Sequence, residues 1–251
     1  MEDDPFASAR FSVDHAKSHI IQVKALAKAF FDTKPYAVVT KADPLYPGYK
    51  LQNLQLTSPL PIQISAFASD AIKNLRASLD HVGYAVARAS GKTGKNAHFP
   101  FGDTIAEVES RRTYRSKDIQ TEIFDLMVAF KPYKGGNVTL WALNKLGNIN
   151  KHESLVRAVL FAQTMIYESP DFRLETGPRQ SEDGEIPIAW IRPGASVPYQ
   201  DLHIEASIRF NDIEGVDLPA PAIAVLDTFS NVVGNVIIAV EAKSRVIGIV
   251  R

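Results

Sequence analysis

The stretch Asn74-Leu75-Arg76-Ala77-Ser78-Leu79-Asp80-His81 decides the fold of this chain. It lies within a longer segment, from about Ile64 to Arg88, in which apolar residues recur at alternating spacings of four and three. These apolar positions are Ala68, Ile72, Leu75, Leu79, Val82 and Val86. The spacing predicts an amphipathic helix with one buried stripe, and it puts the polar residues of the quoted stretch on the two flanks of that stripe.

Outward from this helix, the same periodicity recurs near both ends of the chain, and strand-like alternation separates the helical parts. The predicted helical core comprises about residues 10–31, 62–165 and 220–242, and it includes a helix over about 138–153 that continues past that point. The predicted β insertions comprise about residues 36–56 and 170–210. We therefore expect one domain over 1–251, of the mainly helical α+β class. Its core resembles a four-helix bundle, with a β-hairpin after the first helix and a β-meander before the last.

Composition excludes several classes of protein. The 251 residues are 45% hydrophobic and 22% charged, which suits a globular chain with a sizeable core. There is no cysteine, so the chain forms no disulfide, thiolate zinc site or cysteine nucleophile. No run of eighteen apolar residues and no apolar leader after the acidic N-terminus are present, so the prediction is a cytoplasmic protein without a membrane segment.

Charge is unevenly distributed although it sums to zero. Residues 71–157 carry 14 Lys/Arg against 8 Asp/Glu, whereas residues 168–227 carry 4 against 12. The basic segment would attract a polyanion such as RNA. The alternative is that each charge is simply a solvated surface residue. No stretch of interleaved basic and aromatic residues is identified that would strengthen the nucleic-acid interpretation.

The polar residues of the quoted stretch fall on opposite flanks of the helix. Arg76 and Asp80 are four apart on one flank, which predicts an ion pair along the helix. Asn74 and His81 are seven apart on the other, which allows an ordinary boundary histidine bonded to a backbone carbonyl or to Asn74. Because Arg76 and His81 are about 140° apart in a straight helix, they meet only if the helix is distorted or a two-fold partner supplies a second copy.

A second polar cluster follows about seventy residues later, at Asn144, Asn148, Asn150, Lys151, His152 and Glu153. Asn144, Asn148 and His152 share one helical face, so this face is polar instead of apolar. The alternative is a solvated or capped helix end. Asp80, His81, His98 and His152 could be combined into a metal site, but none of them shows the short spacing of a typical zinc motif, so no metal or other cofactor is predicted.

Arg76, four intervening residues and His81 resemble the Arg-x(4–6)-His motif of the HEPN superfamily. The pair of motifs Asn-Leu-Arg-x-x-Leu-Asp-His and Lys-His also resembles a group of bacterial proteins of unknown function. That group usually has Asp-Lys-His-Arg where this chain has Asn150-Lys151-His152-Glu153. The HEPN resemblance implies a helical-bundle homodimer that acts as a metal-independent endoribonuclease, possible roles being those of a toxin or a phage-defence protein.

The residue types suit that chemistry. Attack of a ribose 2′-hydroxyl on the adjacent phosphate needs a group that titrates near neutral pH and a cation for the phosphoryl oxygens. By the resemblance, His81 would be the acid–base and Arg76 the phosphate clamp. The supporting residues would be Asn74, Asp80, Asn148, Lys151 and His152. The alternative hypothesis is a non-catalytic helical module that binds a protein, RNA or nucleotide at the same residues.

Overall fold

Three long helices carry the core of the computed structural model. They are α1 (Ala7–Asp32), α2 (Ile62–Ala89) and α6 (Ala222–Val246), and each packs against the other two. The structure describes residues 4–148, 155–162, 167–168, 172–174, 185–195, 204–211, 215–216 and 218–250. Short helices complete the described helical part: α3 (Ile105–Ser110), α4 (Thr121–Ala129) and α5 (Val138–Gly147), with a 3₁₀ turn at Arg111–Thr113.

The predicted stripe of α2 is confirmed. All six of its apolar positions, from Ala68 to Val86, are fully buried. Burial of each large side chain such as Leu75 or Leu79 stabilises the fold by about 1.5–3 kcal/mol, so the stripe fixes the rotation of α2 about its own axis. The two polar flanks therefore emerge on opposite sides of a buried seam.

Helices α1 and α2 run antiparallel in close contact. Ser78 is fully buried and its hydroxyl donates to the carbonyl of Ala9 at 2.8 Å. At the other end of the pair, the rings of His19 and Phe67 stack with centroids 5.7 Å apart. The flank of α2 that carries Asn74 and His81 is consequently the one that faces α1.

The β segments join into sheets that the sequence did not reveal. The described strands are β1 (Tyr36–Ala42), β2 (Lys50–Leu56), β3 (Val156–Ala162), β4 (Tyr167–Glu168), β5 (Phe172–Leu174), β6 (Glu185–Ile191) and β7 (Ile204–Phe210). Within the described part of the chain, β1-β2-β6-β5-β4 form one antiparallel sheet and β3-β7 form a second. The predicted hairpin after α1 is confirmed, and it is the edge of a larger sheet. The meander predicted over about 170–210 is wrong for its last strand, because β6 pairs with β2 and β5 whereas β7 pairs with β3.

Two predicted boundaries are wrong. The helical core was expected to continue to about residue 165, but Val156–Ala162 is strand β3. The helix expected over 138–153 ends at Gly147, where Asn148 caps it, and residues 149–154 lie outside the described ranges. The mainly helical α+β class itself is confirmed.

By length and composition, α6 is the one helix among the described residues that could cross a membrane. The core helix of a soluble protein passes the same test. In α6, 44% of the most apolar window is buried inside the structure. Because α6 packs against both α1 and α2, its hydropathy is compatible with a soluble protein.

Candidate functional site

One flank of α2 opens into a polar pocket of about 400 Å³. Its lining comes from α2, α5 and the segment between α2 and α4. The lining residues are Arg76, Asp80, His98, Phe99, Phe101, Arg111, Arg115, Asn144 and Asn148. Three arginines against one carboxylate give this lining a formal net charge of +2 with a neutral His98, which favours an anionic ligand.

Asp80 organises the pocket. One carboxylate oxygen accepts a hydrogen bond from Nη1 of Arg76 at 2.5 Å and lies 3.5 Å from Nδ1 of His98. The other oxygen accepts from the backbone N–H of Phe99 at 3.0 Å. A single carboxylate thus connects the predicted ion pair on α2, which is confirmed, to a loop nineteen residues further along the chain.

Arg76 is also held from the α5 side. Its Nε donates to Oδ1 of Asn144 at 3.3 Å, and its guanidinium carbon lies 5.4 Å from the centroid of the Phe101 ring. A Cβ on Gly147, the last residue of α5, would come within 3.1 Å of the Arg76 side chain, so the glycine leaves room for it. The Arg76 side chain is only 25% exposed. Its position is therefore set by contacts from three parts of the fold.

The loop before α3 approaches α2 at Gly83. A Cβ at this position would lie 2.0 Å from the carbonyl oxygen of Ala97, so only glycine permits the approach. His98 follows directly, and its carbonyl accepts a 2.7 Å bond from the buried hydroxyl of Ser116. The close approach at Gly83 therefore brings His98 to Asp80.

The other flank of α2 has a different environment. Nδ1 of His81 lies 3.2 Å from the hydroxyl of Ser8 and 3.1 Å from that of Ser12, both on α1. Asn74 donates to the carbonyl of Asp70 on its own helix, not to His81. Among the residues that the structure describes, therefore, the predicted partners Arg76 and His81 occupy different environments of one chain and share no hydrogen-bonding group.

The remaining predicted site residues divide into two groups. Asn148 lies in the pocket, where its amide is 3.4 Å from Oδ1 of Asn144, so the structure brings it together with Arg76 and Asp80. Lys151 and His152 lie outside the described residues. Among the residues that the structure describes, no group of three or more histidine, aspartate or glutamate side chains is arranged to hold a metal ion.

Sequence reasoning missed the basic side of the pocket. Arg111 and Arg115 line it, and between them Tyr114 is 69% exposed. The sequence signal was the run Arg111-Arg112-Thr113-Tyr114-Arg115-Ser116-Lys117, in which four basic residues surround an aromatic one. Basic and aromatic residues therefore do interleave in this segment, contrary to the expectation from the sequence. His98 was considered only as a metal ligand.

Comparisons of the chain with protein-family models, with curated proteins and with solved structures found no match. The resemblance to HEPN proteins accordingly stays a prediction.

Proposed function

We propose that the pocket binds a phosphodiester of RNA and cleaves it without a metal ion. The observation that carries the proposal is the meeting of Arg76 and His98 on Asp80, in a cavity lined by two further arginines. A cytoplasmic location, suited to a chain without cysteine, belongs to the same proposal.

Phosphate binding would come from the arginines. Arg76 uses its Nε and Nη1 for Asn144 and Asp80, and a guanidinium has five N–H donors, so donors remain for an anion. Arg111 donates its Nε to the carbonyl of Phe101 at 3.3 Å, which holds a second guanidinium in place. Donors fixed before the ligand arrives lose little freedom on binding, and they stabilise the charge that develops on phosphoryl oxygens.

His98 is the group suited to move a proton. Its side chain is 47% exposed, and the Asp80 carboxylate beside Nδ1 favours the tautomer with hydrogen on Nδ1 and a lone pair on Nε2. In the proposed step, Nε2 takes the proton of the ribose 2′-hydroxyl as the 2′-oxygen bonds to phosphorus. The bond from phosphorus to the 5′-oxygen breaks, and that oxygen takes a proton from water. The hydroxide left from this water takes the proton from Nε2, which regenerates neutral His98. The products are a 2′,3′-cyclic phosphate and a 5′-hydroxyl.

This proposal keeps the arginine that the HEPN resemblance implied and changes the histidine. His81 is bonded to Ser8 and Ser12, so a role for it would require a second copy of the chain to bring it to Arg76. The homodimer and a contribution of His81 remain predictions of the resemblance. Substituting the two histidines separately distinguishes the two versions.

A non-catalytic binding module is the second candidate. The 2.5 Å pair between Arg76 and Asp80 favours it, because this pair already neutralises the central guanidinium. The same lining would then hold the phosphate of an RNA or nucleotide without reacting with it.

The test is an RNA-cleavage assay in EDTA with wild-type protein, His98→Gln and His81→Gln. His15→Gln, which changes an exposed histidine of α1, is the matched control. We expect 2′,3′-cyclic phosphate ends from the wild type and a loss of about 10²–10⁴-fold in His98→Gln, the usual contribution of a general acid–base. Circular dichroism checks that each variant is folded.

The outcomes separate the hypotheses. Loss in His81→Gln with activity retained in His98→Gln would favour the dimeric version and overturn the role of His98. No cleavage by the folded wild type, combined with RNA binding that Arg76→Ala abolishes, would support the binding module. Cleavage that neither histidine affects would mean that the proposed site is wrong.

A further inference from the structure

The segment from Arg111 to Lys117 borders the pocket, because its residues Arg111 and Arg115 line it. We call Arg111, Tyr114, Arg115 and Lys117 the basic rim. Tyr114 and Lys117 are not in this lining, and both are exposed. Charge and an accessible aromatic ring thus occur together in one short segment beside the pocket.

The rim is fixed to the histidine of the pocket. The backbone N–H of His98 donates to the carbonyl of Arg115 at 3.1 Å, and Ser116 N–H donates to the carbonyl of Arg111 at 2.8 Å. Ser116 is 1% exposed and bonds the carbonyl of His98 through its hydroxyl. Because these bonds hold the two segments together, a ligand bound to the rim would lie at a fixed position relative to His98.

Arg112 is not part of this surface. It donates to Asp125 at 2.5 Å and to Glu109 at 3.3 Å, and its guanidinium lies 4.3 Å from the centre of the Phe124 ring. Its charge is therefore used within the fold. Arg111 and Arg115 differ from Arg112 in this respect, because both line the pocket.

We propose that the basic rim binds single-stranded RNA, with one base stacked on Tyr114 and neighbouring phosphates at Arg111 and Arg115. The proposal rests on the proposed function, because it names the substrate class of the same site. Stacking on a ring with 69% exposure requires an unpaired base, whereas bases of an A-form duplex are stacked inside the helix. Because any base has a face that stacks, the rim selects single strands without selecting a sequence.

The test is fluorescence anisotropy with a labelled 2′-O-methyl single strand, which lacks the attacking hydroxyl and so reports binding alone. Tyr114→Ala removes the ring and Tyr114→Phe retains it. Tyr46→Ala changes another exposed tyrosine, in the turn between β1 and β2, and is the matched control. Polyphosphate, which has charge but no bases, is the competing ligand that measures electrostatic attraction by itself.

We expect Tyr114→Ala to weaken binding of the single strand about tenfold, the usual contribution of one stacked base, with a near-normal Kd for Tyr114→Phe. Binding of polyphosphate should be the same for all variants, and a blunt duplex should bind more weakly than the single strand. Equal binding of single strand and duplex, or a wild-type Kd in Tyr114→Ala, would overturn the proposal.

Failure of this inference differs from failure of the proposed function. Single-strand binding that depends on Tyr114, in a protein that cleaves no RNA, would retain the rim and refute catalysis. Cleavage of RNA with an unchanged Kd in Tyr114→Ala would retain catalysis and refute the rim.

Discussion

The two flanks of α2 carry similar polar residues and have different environments. On one flank, Arg76 and Asp80 meet a loop, α5 and two further arginines in an open pocket. On the other, His81 meets the hydroxyls of two serines of α1. Polar residues on an amphipathic helix therefore indicate a site only when another segment completes it. Here that segment is the loop held by Gly83.

The largest effect is expected for Gly83→Ala. This substitution should displace the loop that completes the pocket and leave the contacts of His81 with α1 intact. The new Cβ would meet the Ala97 carbonyl oxygen at 2.0 Å, so the loop must move or the helix must shift. We expect a loss of about 3 kcal/mol in the free energy of unfolding, at the upper end for overpacking, measured by urea denaturation. RNA binding should fall as well.

Gly234→Ala in α6 is the matched control. Nothing lies within 4 Å of the added Cβ, so the same substitution should stabilise the protein by about 0.5–1 kcal/mol. A wild-type unfolding curve for Gly83→Ala would show that the loop does not depend on this glycine.

Asp80→Asn should separate binding from catalysis within the pocket flank. Loss of the ion pair with the part-buried Arg76 should cost about 1–2 kcal/mol of stability. The lining gains one net positive charge, so affinity for an uncleavable RNA strand should rise while the cleavage rate falls, because His98 loses its carboxylate. Affinity and rate that fall together would argue that Asp80 is purely structural.

His81→Ala should affect only stability. The imidazole is part-buried beside Ser8 and Ser12, and removing one such hydrogen-bonding group typically costs about 1 kcal/mol. Thermal unfolding and RNA anisotropy measured on the same sample would check this. A changed Kd for RNA would contradict this expectation, because it would show that the flank of α2 facing α1 takes part in binding.

Arg115→Gln should make RNA binding less dependent on salt, by the amount expected for the loss of one phosphate contact. For single strands, the slope of log K against log salt changes by about 0.7 per phosphate. Lys24→Gln, on α1 and paired with Asp227, is a suitable control for loss of a charge elsewhere. Parallel slopes for wild type and Arg115→Gln would remove Arg115 from the set of phosphate contacts.

The smallest effect expected is the pH dependence of stability that comes from one carboxylate near each flank of α2. Hydrogen bonds from Trp141 and Lys145 lower the pKa of Asp103, at the end of the pocket loop. Hydrogen bonds from Arg245 and Arg10 lower the pKa of Glu241, which helps to hold α1. A carboxylate whose folded pKa is lowered stabilises the fold above its ordinary pKa, and this contribution disappears as pH falls through the folded value.

Asp103→Asn should therefore be less stable than wild type near pH 7 by less than about 1 kcal/mol, because the carboxylate is half-exposed and screened. The difference should vanish in strong acid. Urea midpoints measured across the acidic range would check the sign, and a difference that grows as pH falls would contradict it.

The sequence predicted the features that repeat locally. The stripe of α2 and the Arg76–Asp80 pair both depend on helical spacing alone, and both are confirmed. Strand β3 was mistaken for helix because Val156, Val159 and Leu160 also fit a helical spacing. Only its pairing with the distant β7 reveals a strand.

The pocket could be predicted only in part. Arg76, Asp80 and Asn148 lie on or at the end of helices whose faces can be worked out from the sequence. His98, Arg111 and Arg115 lie in connecting segments without periodicity, and their positions depend on tertiary contacts such as the Gly83 approach. Loops reveal their residue types in a sequence but not the neighbours of those residues.

The pairing of β2 with β6 has a consequence for how the chain folds. Leu54 and Ile186 are partners in the register, so the sheet closes across the segment that contains α2 to α5. Such non-local pairing is slow to form, because the chain loses the entropy of closing a long loop before any stabilising contact is made. A nascent chain that has not yet reached Glu185 leaves one edge of β2 unpaired, and exposed strand edges are the usual starting points of aggregation.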